Sequence, residues 1–181
     1  MNHLIIAGSI RREGKSDHLA RALVARVHAC APGDEVFLFS LADDVTVDAC
    51  LACDYCKTQG ECIIDDDMQD VYDLLDQADD LIVVSPVYFA GPPAQFKALL
   101  DRLQRYYWTD FQSVSKRPAH LFVIGDGGDP HGYAPLVGTV RSALSVAGFR
   151  VSAVHDCVGK SFEELDGIAA AWEPSVGTVE P

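Results

Sequence analysis

Basic residues are scarce in this chain: 14 Lys and Arg stand against 27 Asp and Glu, a formal net charge of −13. Binding a phosphate backbone needs clustered cations, so nucleic acid is excluded as a partner. The acidic balance serves solubility, and it also suits a basic redox partner. Long apolar runs are missing as well. The strongest, near LIVVSPVYFA, is interrupted by Pro86 and falls short of the roughly 20 residues a membrane span needs. The N-terminal stretch from Leu4 to Gly8 is too short for a signal peptide and reads as a first strand. No membrane contact and a cytoplasmic location are expected. Internal repeats are absent, and His3, His18, His28, His120 and His155 show no ligand-like spacing.

What is present is a regular alternation of apolar runs and helical periodicity. At 181 residues, 49% hydrophobic and 23% charged, the chain suits one domain with a sizeable core. That domain is expected over 1–173, with a mobile tail over 174–181. HLIIAG, EVFLF, DLIVVS, AHLFVIG and RVSAV read as five strands. Between them, Leu19, Leu23, Val27 and Cys30, then Met68, Val71, Leu75 and Ala78, then Phe96, Leu99, Leu100 and Leu103, then Leu136, Val140, Leu144 and Ala147 repeat at helical spacing. Cys30, on such an apolar face, is expected to be a buried thiol. Residues 161–172 suit a last helix. Strands alternating with helices predict an α/β fold, a doubly wound five-stranded parallel sheet with helices on both faces. Ligands of such sheets sit beyond the carboxyl ends of the strands, where the loops GSIRREGKS, SPVYFAGPP and GDGGDPHGY fall.

The first of these loops imitates a triphosphate-binding P-loop and fails. Five residues rather than four separate Gly8 from Gly14 ahead of Lys15 and Ser16. No magnesium-binding aspartate closes an apolar strand elsewhere. Ser9, Arg11, Lys15 and Ser16 at a helix start nonetheless make an anion cradle, although a merely capped helix start would carry some of the same residues. In the second loop Tyr88 and Phe89 offer a wall for a flat ring, and Gly91 offers a close backbone approach. The alternative is that both aromatics belong to the core.

Four of the six cysteines crowd into thirteen residues, within a loop spanning 48–64: Cys50, Cys53, Cys56 and Cys62. Thiolates so spaced can wrap one compact inorganic core, with Gly60 turning the chain back to deliver Cys62. Structural zinc is the rival, although zinc sites usually present two separated pairs. Four ordinary thiols in a lid loop are the other. His131, after the fourth strand, and the aromatic stretch RYYWTDF at 105–111 have no assigned role; the latter could cover a substrate or contact a second subunit.

With these motifs in this order, GSIRREGKSDHLA, CLACDYCKTQGECIIDDDM and SPVYFAGPPAQFKALLDR, the chain resembles the iron–sulfur flavoprotein branch of the flavodoxin-like NAD(P)H-dependent FMN reductases. The resemblance spans residues 3 to about 155. It implies a flavodoxin-like sheet and non-covalent FMN. Ser9, Arg11, Lys15 and Ser16 would hold its phosphate. Pro86, Val87, Tyr88, Phe89, Ala90 and Gly91 would line its ring, with Gly125, Asp126, Gly127 and Gly128 bordering the pyrimidine end. It implies a 4Fe–4S cluster on Cys50, Cys53, Cys56 and Cys62, and a homo-oligomer. Electrons would come from NAD(P)H or a ferredoxin-like partner and pass to a small molecule or that partner. An FMN or quinone reductase with structural cysteines, and a pure electron carrier, are the other readings. No catalytic side chain is assigned.

Overall fold

The computed structural model describes residues 1–108 and 115–175. Its elements run β1 (Asn2–Ala7), α1 (Lys15–Cys30), β2 (Glu35–Ser40), α2 (Tyr55–Gln59), α3 (Met68–Gln77), β3 (Asp80–Pro86), α4 (Ala94–Arg102), α5 (Gln104–Tyr107), β4 (Arg117–Gly125), α6 (Ala134–Val146), β5 (Phe149–Val158) and α7 (Phe162–Ala171). The five strands form one parallel sheet in the order β2-β1-β3-β4-β5. This is the flavodoxin-like arrangement, and its strand order reverses between β1 and β3.

Period-two alternation sorts each strand onto two faces. Leu4 and Ile6 of β1, with Leu81 and Val83 of β3, pack beneath α3, α4 and α6. Ile5 and Ala7, with Ile82 and Val84, pack beneath α1 and α7. Both faces of β3 are covered, so all of its residues are buried. This accounts for its nearly unbroken apolar sequence. Burying each such Leu, Ile or Val side chain stabilises the fold by about 1.5–3 kcal/mol. Gly8, just after β1, is required by close packing: a Cβ there would lie 2.7 Å from the Phe96 ring of α4. The fold therefore brings the end of β1 and the start of α4 nearly into contact.

Several expectations change. Cys30 is exposed rather than buried, because it is the last residue of α1, whose final three residues are all exposed. Cys157 lies within β5 and is buried. A short helix, α2, forms inside the cysteine-bearing loop of 48–64. Pro174 and Ser175, expected to begin a mobile tail, are held: Pro174 is buried, and the Ser175 hydroxyl donates to Asp80 Oδ1 at 3.0 Å. Tyr106 of the aromatic stretch is a core residue, whereas Tyr107 and Trp108 are exposed. Positions 109–111 of that stretch and 176–181 of the tail lie outside the described residues. No described helix is long and apolar enough to cross a membrane.

Candidate functional site

Three loops converge beyond the carboxyl ends of β1, β3 and β4. The first begins with Ser9, whose Oγ accepts the Arg11 N–H at 3.2 Å and bends the chain back toward α1. Gly14 is the N-cap of α1 and supplies no side-chain cap. The first turn of this sixteen-residue helix thus presents N–H groups suited to an anion. Ser9 and Ser16 are buried here, while Arg11 is exposed. Lys15 reaches across the sheet end, and its Nζ donates to Asp126 Oδ1 at 3.1 Å.

The second loop is a tight hairpin. Tyr88 N–H donates to the Gly91 carbonyl at 2.9 Å, and Gly91 N–H returns to Tyr88 at 3.0 Å. The two central residues, Phe89 and Ala90, have φ of +50° and +63°. Both positive angles fit a type I′ turn, which favours Asn-Gly; Phe and Ala there are strained. The turn holds because Ala90 is buried and its carbonyl accepts the Leu136 N–H of α6 at 2.9 Å. Phe89 is wholly exposed and Tyr88 half-exposed, so neither is a core aromatic. A Cβ on Gly91 would make only ordinary contacts, 3.7 Å to the Tyr88 carbonyl. The conformational demand of this loop thus falls on Phe89 and Ala90.

Two cavities of about 240 Å³ each open along these loops. One is walled by Ser9, Arg11, Gly14, Lys15, Ser16 and Tyr88. The other is walled by Phe89, Gly127, Gly128, Tyr133, Asp156 and Val158. Val87, Gly125 and Asp126 border both, so the two lie side by side along one trough at the sheet's rim. Ser9, Arg11, Lys15 and Ser16, expected to hold a phosphate, all line the first cavity; of the residues expected at the ring, Phe89, Gly127 and Gly128 line only the second, and Tyr88 only the first. Pro86 belongs to the first cavity. Ala90 and Gly91 border neither, and shape the wall through the turn.

Sequence reasoning missed Tyr133, Asp156, Val158 and Phe162. Tyr133 closes the loop after β4 and caps α6; Asp156, Val158 and Phe162 follow from β5 also ending at this rim, a signal available once five parallel strands are accepted. Burial raises the Tyr133 pKa above the usual phenol value, and neighbouring Asp156 adds to it. The ring end carries Asp126, Asp129 and Asp156, an acidic environment in which Asp126 is paired with Lys15. His131 is exposed, and its backbone N–H donates to Asp129 Oδ1 at 2.8 Å.

The cysteine loop is built separately. Its ends are tied by Arg102 at the end of α4, whose side chain is wholly buried against Asp66. The guanidinium makes a two-pronged pair with that carboxylate, at 2.9 and 3.0 Å. It also donates to the Asp48 and Ile64 carbonyls at 3.1 and 3.3 Å. Asp66 Oδ2 in turn accepts the Asp48 N–H at 2.8 Å. Asp66, in the acidic run just ahead of α3, thus closes the loop. Burial works against its carboxylate, but these donors hold its pKa below the usual range. Removing either partner of such a buried pair costs about 3–5 kcal/mol.

Inside the loop Ala52, Asp54 and Gly60 take left-handed φ of +51°, +57° and +74°. These turns coil the chain around α2, and Gly60 reverses it toward Cys62 as its sequence position predicts. The Ala52 N–H donates to Cys50 Sγ at 3.5 Å. Cys50 and Cys53 are exposed, while Cys56 and Cys62 are half-buried. The Cys56 pKa is raised, first by burial and then by the neighbouring thiols Cys62, Cys50 and Cys53. Among the described residues no three His, Cys, Asp or Glu side chains are grouped to hold a metal ion. What fits a thiolate-ligated cluster is the donor set itself: four free thiols on one clamped loop, with a backbone donor already aimed at sulfur. Within the loop, Lys57 of α2 sits 4.7 Å over the Trp108 ring, so the aromatic stretch braces the cysteine loop.

Comparison with known proteins agrees with this geometry. A family described as NADPH-dependent FMN reductase matches residues 1–157. An iron–sulfur flavoprotein of Methanocaldococcus jannaschii is 39% identical over 97 residues, 54% of this chain and 49% of that protein. Another, from Archaeoglobus fulgidus, is 32% identical over 120 residues, 66% of this chain and 60% of its own. The chain spans about half the length of the curated relatives it matches. In fold it is similar to an azoreductase from Bacillus anthracis, with a TM-score of 0.65 at 15% identity over 95% of this chain and all of that one.

Proposed function

The chain belongs to the NADPH-dependent FMN reductase family, and on that premise we propose that it is an FMN-dependent oxidoreductase that couples the flavin to a 4Fe–4S cluster on Cys50, Cys53, Cys56 and Cys62. The observation that carries the flavin reading is the pair of adjacent cavities along the trough, with hydroxyls and helix N–H groups at one end and a bulky wall at the other. Bound FMN supplies the redox chemistry, accepting electrons in pairs and releasing them singly.

The chain's own residues bind and orient. Ser9, Ser16 and the first turn of α1 hold a phosphate, and Lys15 leaves Asp126 to neutralise it. The turn at Tyr88–Gly91 and the Gly125–Gly128 loop confine the ring from either side. The cluster reading is supported by the four-thiol loop and by the names of the relatives. NAD(P)H, or a ferredoxin-like carrier, is the proposed donor, and a small molecule the acceptor. The exposed Phe89 and Tyr88 at the trough mouth support a homo-oligomer in which a second copy covers them.

Protein purified without air should carry FMN together with stoichiometric iron and sulfide. Cys56→Ala should lose the iron and sulfide and keep the FMN, because the flavin contacts come from other loops. Wild-type protein with FMN and no iron would select the second reading, an NAD(P)H-dependent FMN or quinone reductase with structural thiols. That reading is favoured by the exposure of Cys50 and Cys53.

A further inference from the structure

Half of the 14 Lys and Arg in this acidic chain pair with a carboxylate. Lys116, Arg141 and Arg150 have no carboxylate partner among the described residues. Yet these three border one cavity of about 320 Å³, together with Ser145, Phe149 and Val151, and its described lining includes no Asp or Glu. Like charges around one cavity repel, and a chain with 27 Asp and Glu has carboxylates to spare for them.

Three elements build this corner. Arg141 and Ser145 stand four residues apart on α6 and share a face. Lys116, just ahead of β4, donates from Nζ to the Ser145 carbonyl and, at 2.9 Å, to Ser145 Oγ. An ammonium has three donors, so one is left over. Capping the carbonyl end of α6 accounts for the place of Lys116, but not for that of Arg141, more than a turn earlier, or of Arg150. Arg150 is exposed on β5, the edge strand. Arg117 lies 4.0 Å over the Phe149 ring and adds a fourth positive charge nearby. β4 and β5 both start at this corner, and both end at the trough, with Gly125 and Val158. The nine residues of β4, at about 3.3 Å each, put roughly 25 Å between the two.

We infer that this corner is a second anion site, separate from the trough, for a small phosphorylated molecule. Arg141, Arg150 and the third donor of Lys116 take the phosphate oxygens, and Val151 with the arginine stems takes the apolar part. Three cations on one cavity suit a group carrying more than one negative charge and several acceptor oxygens, which a carboxylate does not offer. The volume suits a compact ligand. The inference does not depend on the flavin reading.

The test is a calorimetric titration of inorganic pyrophosphate at low salt, into the full chain carrying Ser16→Glu, which closes the anion cradle of the trough. One pyrophosphate should bind. Arg141→Gln and Arg150→Gln, added singly, should each weaken it about tenfold, as loss of a charged hydrogen bond does. Arg21→Gln removes the same charge from α1 and should change it less than twofold. No binding, an equal loss in Arg21→Gln, or acetate bound as tightly as pyrophosphate overturns the inference. Wild-type protein saturated with FMN should bind pyrophosphate with the same affinity; competition between the two would place the pyrophosphate in the trough and also overturn it. If the wild type binds no FMN, the flavin reading fails and the Ser16→Glu arm decides this inference alone.

Discussion

At the residue scale the site is governed by a few charges in an acidic protein. Ser16 is buried in the first turn of α1. A carboxylate at that position suits the helix N-terminus by itself, yet it would face a phosphate in a place with little water. Ser16→Glu should therefore abolish FMN binding while melting at or above the wild-type temperature. Retained yellow colour would remove the first loop from the binding site. Asp126 works in the opposite direction. It is almost fully exposed and pairs with Lys15, so it competes with any phosphate for that ammonium. An exposed pair of this kind contributes about 0.2–1 kcal/mol. Asp126→Asn should tighten FMN binding by up to about fivefold, read by fluorescence quenching. Weaker binding would mean that the carboxylate itself holds the ligand.

At the element scale the hairpin after β3 stores strain that its residues do not relieve. Ala90 has φ of +63°, a conformation that costs a residue with a Cβ about 1–3 kcal/mol. Glycine would remove that cost, less about 0.4–1 kcal/mol for the looser unfolded chain. Ala90→Gly should raise the urea midpoint at an unchanged slope, by about 1 kcal/mol. An unchanged or lower midpoint would mean that the turn is not of this type. The helix stripes, Leu19 through Val27 or Phe96 through Leu103, are legible because burial follows a 3.6-residue period. The turn's geometry is not legible, because Phe-Ala carries no turn signal. It exists because β3, β4 and α6 hold its ends.

At the scale of the whole molecule, the sheet carries three histidines with opposed behaviour. His3 is buried between Asp80 and Asp34, at 3.1 and 3.0 Å. Burial opposes its charge, but the two carboxylates prevail and raise its pKa. Its contribution is complete below 6.5 and is lost as pH rises through the folded value. His120 and His155 are shifted downward, chiefly by burial, and His155 also by His120. Their contribution is complete above 6.5 and is lost as pH falls toward their folded values. His155 lies flat against Phe122, with centroids 4.1 Å apart, so phenylalanine fits its place. From about pH 7 to pH 5, flavin-free His155→Phe should lose less melting temperature than the wild type. An equal or larger loss would show that His155 is protonated without penalty in the folded protein.

The sequence by itself determined the sheet, the pairing of helices with strands and the three loops at one rim. Apolar periodicity and turn residues are local, and parallel strands joined by helices admit few arrangements. It also determined that four thiols lie on one loop, since spacing along the chain limits their separation. Tertiary structure alone decided how those loops close. Arg102 and Asp66 stand 36 residues apart, Lys15 and Asp126 111 apart, and neither pair leaves a trace in local pattern. Arg102 falls within the amphipathic α4 helix as an ordinary cation, and becomes the clamp of the cysteine loop because that helix ends where residues 48 and 64 meet. Tyr133 and Asp156 join the trough for the same reason: the sheet's twist and strand order bring the β4 and β5 ends to one rim, and the distance between them in sequence plays no part.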